Sequence, residues 1–297
     1  MNQELKGVFI PVVTPFKNQK LDLVALSHNI ERWNSTNVKG YMPLGSNGEF
    51  VHLDDAEQDA VLDTVMRLAA PAKVVMAGIA RSSAYHTIER GKRAAAAGVR
   101  YVSVLTPCYF ASFMDDAALT RYYAEVADAL DIPLLMYNCP KFASNVTISE
   151  AVVAELSKHP NIAGMKDTSS GNIERYLAVR DPSSGFEVVA GSITNYMQGL
   201  RAGSSGGVLS LSNYLPDACA RIQPLFESGD TEGAAALADK LAALSKRATD
   251  KFGVAGVKAG CDAFGYLGGE VRNPLPNLTK EQREDIRRTL LEGAAEL

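Results

Sequence analysis

The feature of this chain with the clearest chemical consequence is a lysine that closes a short apolar run. Ile162-Ala163-Gly164-Met165-Lys166-Asp167 has the length and character of a buried strand and ends on Lys166. Lysine is rarely buried, because its ammonium loses hydration there and its pKa falls from the ordinary value of about 10.4. A fall of about three units costs about 4 kcal/mol and yields a neutral amine that can attack a ketone and form a Schiff base. A plainer reading, an ammonium paired to Asp167 or reaching out to solvent, fits the same residues. Alternation along a strand puts Gly164 and Lys166 on one face, and a small residue below a long one leaves room for a ligand.

Other strand ends offer further groups. Tyr137-Asn138-Cys139-Pro140 places a phenol where Pro140 must end the strand; a core tyrosine with a satisfied hydroxyl reads the same way. Gly45-Ser46-Asn47-Gly48-Glu49 is a small polar loop opening a helix. Backbone N–H groups with a hydroxyl and an amide there suit a carboxylate, though such turns also serve structure alone. Thr106-Pro107-Cys108-Tyr109-Phe110 ends another strand in an aromatic cluster, which is equally a packing signature. Gly191-Ser192 and Gly203–Gly207 permit close backbone approach. The four histidines lack H-x-H or H-E-x-x-H spacing, so no metal site is expected, and Ser46 lacks the G-x-S-x-G context of a serine hydrolase.

These groups need a scaffold, and the pattern predicts one. Strand candidates are residues 7–13, 41–44, 73–77, 101–105, 134–137, 162–166, 187–190 and 207–211. Between them lie helical patterns, for example Leu23, Leu26, Ile30 and Trp33, or Leu119, Tyr122, Val126 and Leu130. Asp54 with Glu57 and Thr147 with Glu150 have capping-box spacing, and Gly98 and Gly203 stand where helices should stop. Eight short buried strands alternating with helices predict an α/β protein, a closed (β/α)8 TIM barrel, more than an open sheet. The position where an open doubly wound sheet usually carries a glycine-rich phosphate turn reads TPFKNQKLD. Residues 1–215 are assigned to the barrel. Residues 216–297, with helices expected over 216–227, 231–251 and 280–291, form a helical C-terminal annex packed on it.

Composition narrows the function classes. The 297 residues carry a formal charge of −4 with 46% hydrophobic and 22% charged residues, which excludes disorder and gives no basic footprint for nucleic acid. No apolar stretch approaches the roughly 18 residues of a membrane span. The start MNQELKGVFIPVVTPF lacks signal-peptide features, and four cysteines without C-x-x-C spacing read as reduced thiols, so a cytoplasmic location is expected.

Together these motifs resemble the pyruvate-dependent Schiff-base lyases, the dihydrodipicolinate synthase and N-acetylneuraminate lyase family of class I aldolases. The likeness runs from GVFIPVVTPF through LGSNGEF, LTPCYF, MYNCP, GMKDTS and VVAGS to FGVAGVKAGCDAFGYLGGEVRNPL. GSNGEF, LSKHPNIAGMKD and the tail are most similar to 4-hydroxy-2-oxoglutarate aldolases. The resemblance implies a barrel with a helical annex and a homotetramer of tight dimers. It makes Lys166 the imine-forming lysine, so that the covalent imine replaces any cofactor, and Tyr137 the proton shuttle. Ser46 and Asn47 would hold the keto-acid carboxylate. Tyr109 would reach across a dimer, and Gly191, Val208 and Thr168 would line the substrate pocket. The implied partners are a small 2-keto acid and an aldehyde.

There are departures, one of them the Ser46-Asn47 pair, where dihydrodipicolinate synthases have paired threonines. Where dihydrodipicolinate synthases carry an arginine for a second carboxylate, this chain has Phe142, which cannot make that bidentate pair. An aldolase is therefore expected, with a keto-acid dehydratase or deaminase working through the same imine, or a synthase with an atypical aldehyde site, as alternatives. A barrel that binds ligand without catalysis is the alternative from another class.

Overall fold

A computed structural model describes residues 3–169 and 171–297; the first two residues of the N-terminal stretch read above lie outside it. Eight strands, β1 (Gly7–Ile10), β2 (Gly40–Tyr41), β3 (Val74–Gly78), β4 (Tyr101–Leu105), β5 (Leu134–Asn138), β6 (Ile162–Asp167), β7 (Glu187–Ala190) and β8 (Gly206–Val208), close into a barrel. Neighbours in sequence are neighbours in the barrel, and β1 lies between β8 and β2. The described ladders of the barrel are parallel. Strands β4, β5 and β7 are buried along their whole length, which explains their near-continuous apolar sequence. The expected (β/α)8 TIM barrel with C-terminal helices is therefore the observed fold.

Eleven helices follow in chain order among the described residues: α1 (Leu23–Asn34), α2 (Asp55–Leu68), α3 (Ala84–Ala96), α4 (Asp116–Asp128), α5 (Glu150–Leu156), α6 (Ile173–Val179), α7 (Ile193–Ala202), α8 (Pro216–Glu227), α9 (Thr231–Ala248), α10 (Gly253–Ala263) and α11 (Lys280–Ala294). Among the described residues none is long and apolar enough to cross a membrane. The chain falls into two compact units, residues 1–7 with 74–208 and residues 8–73 with 209–297. This partition follows packing. The division at residue 215 follows element type, since no described barrel strand comes after Val208.

In the first unit α4 buries Leu119, Tyr122, Tyr123 and Val126, and the Tyr123 hydroxyl donates to the Val104 carbonyl of β4 at 3.1 Å. In the second, Trp33 is fully buried; its indole N–H donates to the Asn213 carbonyl at 3.1 Å, and its ring lies 5.5 Å from that of Tyr266. The stripe expected on α9 is present, with Leu237, Leu241, Leu244 and Ala248 buried.

Several local expectations change. Strand β1 stops at Ile10, where Pro11 brings no N–H, although Val12 still donates to Met42 at 3.0 Å. Strand β2 is shorter than expected, because Pro43 intervenes and Leu44 takes a left-handed φ of 60°. The Asp54–Glu57 capping box is present. Helix α5, however, is capped by Ser149, whose hydroxyl accepts from Val152 N–H at 3.2 Å, so Thr147 lies outside the helix. Helix α10 was not expected. Its sequence GVAGVKAGCDA is rich in glycine and, being buried from Ala255 to Cys261, has no amphipathic stripe to reveal it.

Candidate active site

Strands β5 and β6 are paired so that Tyr137 faces Lys166 and Asn138 faces Asp167. Lys166 is 4% exposed, and its Nζ stands 4.1 Å from the centroid of the Tyr137 ring. Loss of hydration brings the amine down to about 8, opposed by the nearby Cys139 thiol. At pH 7 about one amine in ten is then neutral, against about one in several thousand for an ordinary lysine. Burial thus raises the neutral fraction by making the charged form costly.

The alternative of a lysine reaching to solvent is removed by this burial. Asp167 is engaged elsewhere: its Oδ1 accepts from Asn138 Nδ2 at 2.8 Å, from Ser169 Oγ at 2.6 Å and from Ser169 N–H at 3.2 Å. Its own burial pushes the carboxyl upward.

The neighbouring strand ends are drawn close by small residues. Gly191 N–H donates to the Asp167 carbonyl at 2.6 Å, and a Cβ on Gly191 would sit 2.8 Å from that oxygen and collide with the Thr168 methyl. Thr168 donates both its N–H (3.0 Å) and its hydroxyl (2.9 Å) to the Asn138 carbonyl, bridging β5 and β6. Val208 closes β8 and is buried. The reading of Gly164 is corrected. The register shifts at Leu134/Leu135, a bulge that skips Ala163, and a Cβ on Gly164 would run into the Glu187 backbone carbonyl. Glycine is needed there for the approach of β7, not to leave room for a ligand. Tyr109 is not packed into the buried pair: it is 81% exposed, with its ring edge-on to Phe110 at 5.0 Å. Phe142, in a 3-10 turn after β5, is 53% exposed.

In the second unit Ser46 and Asn47 start a 3-10 turn, Ser46–Gly48. The Ser46 hydroxyl oxygen is buried and makes no hydrogen bond among the described residues, while Asn47 Nδ2 donates to Ser210 Oγ at 2.8 Å. The turn ends in Glu49, buried, with a left-handed φ of 52°. Its Oε1 meets the Nζ of Lys258 at 2.5 Å, and its Oε2 accepts the Arg272 N–H at 3.0 Å. Lys258 is fully buried, donates also to the Glu270 carbonyl at 2.6 Å, and lies 4.5 Å from the centroid of the Phe16 ring. Arg272 forms a bidentate pair with Glu57 at 2.6 and 2.7 Å. Sequence reasoning did not single out Lys258, Glu49 or Arg272. The signal was available: Lys258 sits in the small apolar run AGVKAG, much as Lys166 sits in its strand.

The chain places a buried amine beside a phenol at paired strand ends of a (β/α)8 barrel, and the comparisons supply its class. The model of the dihydrodipicolinate synthetase family matches residues 4–292. A relative from Emericella nidulans, described as "Probable 4-hydroxy-2-oxoglutarate aldolase, mitochondrial", is 33% identical over 97% of this chain and 94% of its own. A 4-hydroxy-tetrahydrodipicolinate synthase of Syntrophus aciditrophicus is 30% identical over 96% of this chain and 97% of its own. Among solved structures, a dihydrodipicolinate synthase from Thermotoga maritima superposes with a TM-score of 0.91 at 24% identity, covering 97% of this chain and 98% of that one. The chain belongs to the dihydrodipicolinate synthetase family and is a carbon–carbon lyase.

Proposed function

We propose that the protein is a class I aldolase that breaks or forms a C–C bond between pyruvate, or a close 2-keto acid, and an aldehyde, in the manner of a 4-hydroxy-2-oxoglutarate aldolase. The observation that carries this reading is the buried Lys166 amine, brought down to about 8 and held against Tyr137. Neutral Nζ adds to C2 of the keto acid, and loss of water leaves a protonated imine. In a 4-hydroxy-2-keto acid, removal of the C4 hydroxyl proton sends the C3–C4 electron pair into the iminium. An aldehyde departs, and an enamine of pyruvate remains on Lys166. Protonation at C3 and addition of water to the C=N bond release pyruvate and restore the amine. Tyr137 serves as the proton shuttle in these steps. No added cofactor is required, because the iminium is the electron sink.

Ser46 and Asn47 enter through their chemistry: a hydroxyl and an amide are the donors a keto-acid carboxylate needs. The homotetramer belongs to the same proposal. It is supported by the exposed aromatics Tyr109, Phe110 and Phe113, and sedimentation at several protein concentrations tests it.

Incubation with pyruvate and sodium borohydride should add the reduced pyruvate mass to Lys166, with no adduct in Lys166→Ala. An unmodified Lys166 in active protein refutes the mechanism. Among 4-hydroxy-2-keto acids, release of pyruvate with an aldehyde supports the aldolase. Formation of a deoxy dicarbonyl with every carbon retained would assign the imine to a dehydratase instead.

A further inference from the structure

Behind the Tyr137–Lys166 pair lies a polar cluster to which that chemistry assigns no part. The next residues in register, Asn138 and Asp167, are both fully buried, and alternation turns them to the opposite face of the strands. The Asn138 side chain is engaged on every side. Its Nδ2 donates to Asp167 Oδ1 at 2.8 Å and to the Tyr176 hydroxyl at 3.2 Å, and its Oδ1 accepts the Ile148 N–H at 3.0 Å. Asp167 gathers three donors on Oδ1, whereas its Oδ2 is buried without a partner among the described residues.

A buried acid with one unsatisfied oxygen is expensive, and two apolar side chains would fill the same space at less cost. What the polar pair adds is direction. A side-chain bond across β5 and β6, one residue beyond the reacting groups, prevents their ends from sliding or splaying. Imine formation depends on such placement, since an error of about 1 Å at a reacting atom can cost about 100-fold in rate.

We propose that Asn138 and Asp167 are positioning residues that hold the Lys166 amine in register with Tyr137 for imine formation. The inference rests on the proposed Schiff-base reading. Its test is the rate of borohydride trapping at saturating pyruvate, together with kcat and KM for pyruvate release, in Asp167→Ala, Asp167→Asn and Asn138→Ser.

Asp167→Ala removes every acceptor, so trapping and kcat should fall about 100-fold while KM changes less than about threefold. Asp167→Asn keeps an acceptor oxygen and should recover activity to within about tenfold of the parent. Should Asp167→Ala fail to fold, Asn138→Ser removes the same cross-strand bond from the other side and should show the same loss in kcat. Variants that melt earlier yet trap pyruvate and turn over within about threefold of the parent overturn the inference and leave the lyase reading intact. So does an Asp167→Asn variant no better than Asp167→Ala. Absence of any adduct in the parent protein overturns both.

Discussion

Replacing Lys166 by methionine keeps an unbranched chain of similar length and removes the charge, so it measures what the buried amine costs the fold. With an unfolded-state value of 10.5 and a folded value of about 8, the folded protein binds the lysine proton less tightly than the unfolded chain does. The penalty is complete below the folded value, where both states carry the proton, and disappears above the unfolded value, where neither does. At about 1.36 kcal/mol per unit it amounts to about 3 kcal/mol at pH 7 and to about 1 kcal/mol at pH 10. Ligand-free Lys166→Met should therefore be more stable than the parent at pH 7 by up to about 3 kcal/mol, or about 5 °C in melting temperature, while forming no pyruvate adduct. The gain should shrink as the pH rises from 8 to 10.5. Denaturant unfolding at pH 7 and pH 10 reads both quantities. A variant that is less stable at pH 7, or whose advantage does not shrink toward pH 10, would refute the claim that desolvation sets the state of this lysine.

Three further outcomes follow from the geometry. The rate of imine formation with pyruvate should rise with pH to a midpoint near 8 and then level, because the neutral amine is the nucleophile; a rise continuing to about 10.5 would mean that Lys166 is not perturbed. Glu49→Gln or Lys258→Met alone leaves one buried charge without its partner and should destabilise by about 3–5 kcal/mol in urea unfolding, whereas the double variant should lie much nearer the parent; additive losses would show the pair is not coupled. Gly164→Ala drives a Cβ into the Glu187 carbonyl and should cost at least about 2 kcal/mol and displace β6, seen as lower stability with weaker trapping at Lys166; a neutral variant would overturn the reading of that glycine as a contact requirement.

The two buried lysines show how context decides the use of one residue type. Burial is the largest influence on both amines and lowers both. At Lys258 the Glu49 carboxylate opposes it, and the amine also donates to the Glu270 carbonyl, tying α10 to the Ser46–Glu49 turn. Lys166 faces an aromatic ring, and desolvation dominates its ionisation. Glu49 thus favours the ammonium of Lys258, while burial of Lys166 favours the neutral amine.

Much of this was written in local sequence. Alternating apolar strands and capped helices dictate the barrel, since period and punctuation act over a few residues. A lysine ending an apolar strand only makes Lys166 a candidate, with pairing to Asp167 or exposure to solvent equally open until the family resemblance favours it. Tyr137 and Lys166 were legible as strand-end groups, but that they face each other depends on the β5–β6 register, including a bulge at Ala163 that no composition announces. Helix α10 escaped because a helix buried on all sides has no polar face to give it a period. Glu49, Lys258 and Arg272 lie more than 200 residues apart at the extremes, and their pairing exists only once the chain is packed. Gly164 carried the same letter under either reading; only the neighbouring carbonyl showed that it answers to backbone contact. Side-chain pattern, being local, fixes which elements form, whereas burial, register and ionisation are properties of the packed neighbours and are decided by the tertiary structure.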